Sequence, residues 1–125
     1  MKKIISTLKS PAAIGPYSQG NQLGNLIFTS GQLPLDPETG IIVESDITAQ
    51  TNRCLLNAKA ILEAAGSGMD KILKTTVFMV DMKDFTAMND EYKTFFEDNF
   101  PARSTVQVGR LAKDALVEIE VIAYL

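Results

Sequence analysis

The chain has 125 residues, 46% of them apolar and 22% charged, with a net charge of −3, which is the size and balance of one soluble domain spanning 1–125 that buries about two-thirds of its unfolded surface. It has no histidine and a single cysteine, Cys54. That excludes a Ser-His-Asp triad, a Cys-His pair, a histidine zinc site, a thiolate metal cluster and an intrachain disulfide.

In chain order, Met1-Lys2-Lys3 precedes only Ile4-Ile5 before Lys9 and Pro11 interrupt. This is too short for a signal-peptide core, and no later segment is long enough to span a membrane, so a cytoplasmic location is expected. Residues 1–8 hold a short β-prone run at Ile4-Ile5, and Ser10 to Pro16 is a loop by its two prolines and Gly15. Tyr17–Gln22 and Leu26–Ser30 read as strands around the turn Leu23-Gly24-Asn25. Asp36-Pro37-Glu38-Thr39-Gly40 is a strong turn, and Ile41-Ile42-Val43 is expected to return as a short strand.

Asp46 is a good N-cap for a first helix with a stripe of Cys54, Leu55, Ala58, Ile61, Leu62 and Ala65, stopped by Gly66. Ile72–Val80 is a central strand. A second helix starts near Asp84 with the stripe Phe85, Met88, Tyr92, Phe95 and Phe96, and Pro101 closes the segment. Ser104–Val108 reads as a strand. At the C-terminus Val117, Ile119, Val121 and Ala123 alternate with Leu116, Glu118, Glu120, Ile122 and Tyr124. The order predicts an α+β fold: one mostly antiparallel mixed sheet with two helices packed on one face. The other face carries Leu116, Ile122 and Tyr124 among two glutamates, a surface of the kind that meets another subunit.

Without histidine, chemistry falls to Arg, Lys, Glu, Asp, Tyr, Ser, Thr, the backbone and water, which points to an undemanding reaction or to binding. Basic residues are scattered and the pI is about 4.9, which weighs against nucleic acid. Arg103, between a helix and a strand, is placed either to read a carboxylate through two parallel hydrogen bonds or to sit in a surface salt bridge. Glu118 and Glu120 share one strand face: in a cleft, burial raises a carboxyl pKa toward acid–base work, and in water they are ordinary solvated groups. In Thr29-Ser30-Gly31-Gln32, Gly31 either admits a ligand to the backbone or marks a strand-end bulge. Tyr17 either walls a pocket or packs on the hairpin. Asn89 lies off the stripe of the second helix, where a solvent-facing position is simplest. Cys54 falls inside the first helix's stripe and reads as structural.

The segments Ala13-Ile14-Gly15-Pro16-Tyr17-Ser18-Gln19, Phe28-Thr29-Ser30-Gly31-Gln32, Asp36-Pro37-Glu38-Thr39-Gly40, Phe100-Pro101-Ala102-Arg103-Ser104 and Leu111 leading to Val117-Glu118-Ile119-Glu120 together resemble the RidA family, the reactive intermediate deaminases also called YjgF. The match runs essentially end to end. The resemblance implies a chorismate-mutase-like fold assembled as a homotrimer with ligand clefts between subunits. It also implies hydrolysis of 2-aminoacrylate or 2-aminocrotonate and their imine tautomers, 2-iminopropanoate and 2-iminobutanoate, to 2-oxo acids and ammonia. No cofactor or metal is implied, and the substrates come from pyridoxal-phosphate-dependent dehydratases. Carried over, Arg103 pairs with the substrate carboxylate and Glu118 positions or activates water. Tyr17, Ser30, Gly31 and Asn89 line the cleft, and Thr105 contributes backbone contacts. Many relatives carry Cys where this chain has Thr105. Two other readings stay open: a non-enzymatic binder of small 2-oxo acids, and the translation inhibitor or ribonuclease role ascribed to some relatives, against which the acidic pI and absent histidine argue.

Overall fold

The computed structural model describes residues 1–125. Its strands are β1 (Lys3–Ile5), β2 (Gly20–Leu23), β3 (Leu26–Thr29), β4 (Ile72–Met79), β5 (Ala102–Gln107) and β6 (Val117–Tyr124), with helices α1 (Ile47–Ala64) and α2 (Phe85–Lys93). They form one sheet in the order β1-β2-β3-β6-β4-β5. Only the β4–β5 pair is parallel; it is linked through α2, and the other four pairs are antiparallel.

β6 lies mid-sheet because both of its edges are paired. Its alternation places Val117, Ile119, Val121 and Ala123 against the helices, all essentially inaccessible. α1 meets them with Cys54, Leu55, Ala58, Ile61 and Leu62, which belong to the same core cluster. Each large aliphatic side chain buried there contributes about 1.5–3 kcal/mol. The Asp46 carboxylate accepts the Ala49 N–H at the start of α1. At its end Gly66 takes φ +85°. The Gly66 N–H bonds to the Glu63 carbonyl and the Ser67 N–H to that of Leu62, so the last carbonyls are satisfied by the left-handed stop that glycine permits.

Three elements depart from the sequence reading. The strand expected from Tyr17 begins only at Gly20, because the Gln19 side chain pins the preceding loop by donating to the carbonyls of Thr7, Ser10 and Pro11. Ile41-Ile42-Val43 does not form a strand; a single bridge joins Leu35 to Ile42, and prolines 34 and 37 lack the N–H groups needed to extend it. β5 begins at Ala102, ahead of the expected Ser104, so Arg103 stands inside a ladder rather than before it. Phe95 and Phe96 follow α2 in a tightened turn, with N–H groups donating to the carbonyls of Tyr92 and Lys93. No helix is long and apolar enough to cross a membrane.

The sheet face away from the helices has no layer over it. Register puts Leu26 beside Tyr124, Phe28 beside Ile122, and Val106 beside Phe78 on that face. Leu26, Phe28, Val106 and Tyr124 are each 40–42% exposed.

Candidate functional site

The candidate residues fall into two groups on opposite faces of the sheet. Arg103 pairs with Thr75, which pairs with Val121. Paired residues point the same way, so the Arg103 side chain lies on the helix side. There α2 presents one face at helical spacing, Phe85, Asn89 and Tyr92. The guanidinium carbon sits 4.7 Å from the Tyr92 ring centroid and 5.5 Å from that of Phe85. An Arg103 terminal N–H donates to the Asn89 Oδ1 at 2.7 Å. The Tyr92 ring is itself fixed, because its hydroxyl hydrogen-bonds the Thr75 hydroxyl at 2.8 Å in a buried position.

The structure contains two ion pairs, Lys83–Asp81 and Arg110–Asp114, and Arg103 is in neither. The salt-bridge reading of this arginine is therefore excluded, and so is the solvent-facing reading of Asn89, which is half-buried and engaged. Stacked aromatics and one neutral acceptor hold the guanidinium plane while most of its five N–H donors remain free. It opens into a groove of about 400 Å3 shared with Asn89, Tyr92, Lys93, Phe100 and Pro101.

The second group surrounds Glu118. It pairs with Phe78, which pairs with Val106, so its carboxylate projects from the open face. Across from it β3 leaves β6. Phe28 is opposite Ile122 and Gln32 opposite Ile119, which sets Thr29, Ser30 and Gly31 against only Glu120 and Val121: a bulge with one extra residue. The Thr29 hydroxyl accepts the Val121 N–H at 3.0 Å, covering the interrupted ladder. The bulge reading of this segment thus holds, and it has a consequence for the carboxylate. A Cβ at Gly31 would lie 2.8 Å from the Glu118 Oε1; only glycine leaves that space. Half-buried there, Glu118 has its carboxyl pushed above the usual value, first by desolvation and then by the Glu120 carboxylate. Glu120 itself is exposed.

Ser30 ties the bulge to the preceding loop. Its hydroxyl donates to the Ser18 carbonyl at 2.6 Å and its N–H to that of Gln19 at 2.9 Å. Tyr17, half-exposed, lines a small cleft together with Gly31. Thr105 pairs with Val77 and so belongs to the Arg103 side, where its hydroxyl is buried without a hydrogen-bond partner. The structure thus brings together Tyr17, Ser30, Gly31 and Glu118, and separately Asn89 and Arg103, with Thr105 on the same strand and face as Arg103. No cluster of three or more acidic or thiol groups is placed to hold a metal ion.

The parts not identified from the sequence are Phe85, Tyr92 and Thr75 around Arg103, and Lys93 in the groove. Tyr92 and Phe85 look like core stripe, and they are, but each also shows a ring face to the arginine. The available signal was the spacing Phe85, Asn89, Tyr92, which puts the polar Asn89 among aromatics on one helix face.

The family described as endoribonuclease L-PSP matches residues 7–125. A 2-iminobutanoate/2-iminopropanoate deaminase of Salmonella typhimurium is 52% identical over 126 residues, 98% of each chain. A RutC family protein of Pyrococcus horikoshii is 52% identical over 124 residues, 99% of this chain and 98% of the relative. Among solved structures, the Escherichia coli YjgF gene product matches with a TM-score of 0.93 at 52% identity over 98% of both chains. Escherichia coli TdcF with bound serine matches with 0.94 at 49% identity over 98% of both. The architecture is the RidA/YjgF fold. The chain belongs to the endoribonuclease L-PSP family, the group that includes RidA and YjgF.

Proposed function

We propose that this protein hydrolyses small enamines and their imine tautomers, 2-aminoacrylate and 2-aminocrotonate among them, to 2-oxo acids and ammonia. The observation that carries the reading is the Arg103 guanidinium, stacked on Tyr92 and Phe85, held by Asn89, and without a carboxylate of its own. Such a fork reads a planar carboxylate, the strongest handle on so small a substrate. Deaminase relatives at 52% and 53% identity support the same chemistry.

The mechanism assigns Glu118 to water. With the substrate carboxylate on Arg103, water adds across the C=N bond as Glu118 takes its proton and passes it to the imine nitrogen, giving the carbinolamine. Glu118 then takes the carbinolamine hydroxyl proton and delivers it to nitrogen as the C–N bond breaks, leaving a 2-oxo acid and ammonia. Imines hydrolyse in water unaided, so orientation and one base supply the acceleration. The desolvated setting of Glu118 makes it a stronger proton acceptor than a solvated carboxylate.

Arg103 and Glu118 point to opposite faces of one sheet, and a four-carbon substrate does not bridge them. We therefore place the cleft between copies, Arg103 from one and Tyr17, Gly31 and Glu118 from the next, in the cytoplasmic homotrimer that the family resemblance implies. The uncovered apolar face at Leu26, Phe28, Val106 and Tyr124 supports assembly. A ribonuclease role, carried in the family description, draws no support from Glu118 and Glu120, which repel a phosphate backbone. The test is a coupled assay in which a pyridoxal-phosphate-dependent dehydratase generates the imine and 2-oxo acid release is timed. Wild type accelerates release and Arg103→Ala does not; equal rates with and without wild type would refute the function.

A further inference from the structure

The groove in front of Arg103 is more positive than a monocarboxylate requires. Its lining is Asn89, Tyr92, Lys93, Phe100, Pro101 and Arg103. No aspartate or glutamate contributes to it. Lys93 follows Asn89 by one helical turn and projects from the same face of α2. It takes part in neither of the structure's ion pairs. The carboxylates closest to Lys93 downstream, Glu97 and Asp98, line a different cavity, on the side of Lys59, Glu63 and Asp70. Asp90, one helical turn before Lys93, is exposed and forms no ion pair with it, so the groove's own lining holds two cations and no carboxylate. Tyr92, Phe100 and Pro101 supply apolar wall, and Phe100 is 56% exposed, its ring 6.1 Å from that of Phe96. The groove of about 400 Å3 is the wall that one chain contributes; in the proposed cleft Tyr17, Gly31 and Glu118 of the neighbouring copy close it from the side away from Lys93.

We propose that the site accepts α-imino dicarboxylates, with the C1 carboxylate on Arg103, the methylene chain along the aromatic wall and the distal carboxylate at Lys93. This rests on the imine-hydrolase reading above and narrows its substrate class. The chemistry is unchanged and balanced: water adds across C=N, the C–N bond breaks, ammonia leaves, and the product is a 2-oxo dicarboxylate. No electrons are transferred. The arrangement assigns the two cations different tasks. Arg103, planar and fixed by three contacts, sets the position of the reacting carbon. Lys93, exposed and carried on a flexible four-carbon stem, selects for a second negative charge without dictating geometry.

The test uses stable product analogues as probes, 2-oxobutyrate and 2-oxoglutarate, in calorimetric titrations of the intact protein at low and high salt. Wild type should bind 2-oxoglutarate about fivefold tighter than 2-oxobutyrate at low ionic strength, the scale of one solvent-exposed charge pair, with the preference shrinking toward unity at about 0.5 M salt. Lys93→Glu should invert the preference, and Lys93→Gln should abolish it. Rates with 2-iminoglutarate, generated in place by an amino-acid oxidase, should follow the same order. If wild type binds 2-oxobutyrate through Arg103 but 2-oxoglutarate more weakly, or if Lys93→Glu leaves the ratio unchanged, the dicarboxylate proposal fails while the hydrolase reading stands. If Arg103→Ala binds both probes like wild type, the underlying site assignment fails instead.

Discussion

Replacing Gly31 by alanine is the most direct probe of the bulge. The added Cβ would stand 2.8 Å from the Glu118 Oε1 and 2.9 Å from its Cδ, where ordinary contact is 3.4–4 Å. The backbone at Gly31 does not have a positive φ, so alanine meets no conformational penalty there. What gives way is the glutamate, the free end of a flexible side chain. Leaving its rotamer costs about 0.5–1.5 kcal/mol, which lowers the melting temperature by a few degrees. The carboxylate must retreat by at least the difference between 3.4 and 2.8 Å, that is 0.6 Å. Displacements near 1 Å cost up to about 100-fold in rate when a reacting group is misplaced, so turnover should fall about 10- to 100-fold. Binding should fall less than turnover, because the substrate carboxylate is held by Arg103, which in the proposed cleft comes from the neighbouring copy and is not displaced by the added methyl. The assays are imine hydrolysis coupled to reduction of the 2-oxo acid, and calorimetric titration with 2-oxobutyrate. A Gly31→Ala protein with wild-type kcat would refute the role given to this contact. So would one that loses 2-oxobutyrate affinity and keeps its turnover.

Glu118 has a raised folded-state pKa, so the folded protein binds more protons than the unfolded chain, and stability falls as pH rises from the usual carboxylate value through the raised one. Glu118→Gln should thus be more stable than wild type at neutral pH and equal to it below the usual value, as measured by denaturant titration across pH. Because Glu120 is the second cause of that shift, Glu120→Gln should move the acidic limb of the kcat/KM profile to lower pH. Tyr92→Leu removes the ring on which Arg103 rests and should weaken 2-oxobutyrate binding about tenfold, the scale of a partly desolvated cation–π contact. Tyr92→Phe, which keeps the ring and loses only the bond to Thr75, should cost less than threefold by the same titration. Thr105→Val replaces a buried hydroxyl that has no partner in the chain and should stabilise the protein by about 1 kcal/mol; a loss of stability would show that assembly supplies a partner.

Local rules made most of the fold legible. The alternation in Val117–Tyr124 and the stripe from Cys54 to Ala65 gave the two packed layers, and Asp46 and Gly66 marked the ends of α1. The failures came where side-chain amides replace backbone pairing. Gln19 fixes the 7–11 loop, and Gln50 bonds both the Leu116 N–H and the Glu44 carbonyl. Asn57 donates to the carbonyls of Leu33 and Leu35. A buried amide looks in sequence like any polar residue on a helix, and its partners lie more than 20 positions away in the last case. The candidate residues were legible only through the family resemblance. Position alone favoured a surface salt bridge for Arg103 and solvent for Asn89, because nothing local reveals that β5 runs parallel to β4 and turns Arg103 under α2. The division of the candidates between two faces was likewise hidden, since it depends on the registers of Thr75 and Phe78 with β6.

That division makes the assembly itself testable through activity. If each cleft in the proposed trimer takes Arg103 from one copy and Glu118 from its neighbour, Arg103→Ala and Glu118→Gln are each inactive for a different reason and damage different contributors. Mixed after denaturation and refolded together at equal amounts, they form clefts at random. A cleft works when its arginine comes from the Glu118→Gln chain and its glutamate from the Arg103→Ala chain. Each event has even odds, so about a quarter of clefts should be intact, whatever the order of the cyclic assembly. The refolded mixture should show about a quarter of wild-type kcat, whereas either variant refolded alone stays near background. Were both residues to serve the same cleft from a single chain, every cleft in the mixture would carry one lesion and no activity would return. The register already favours the first outcome: Arg103 shares its face with Thr75 and Val121, and Glu118 shares the opposite one with Phe78 and Val106.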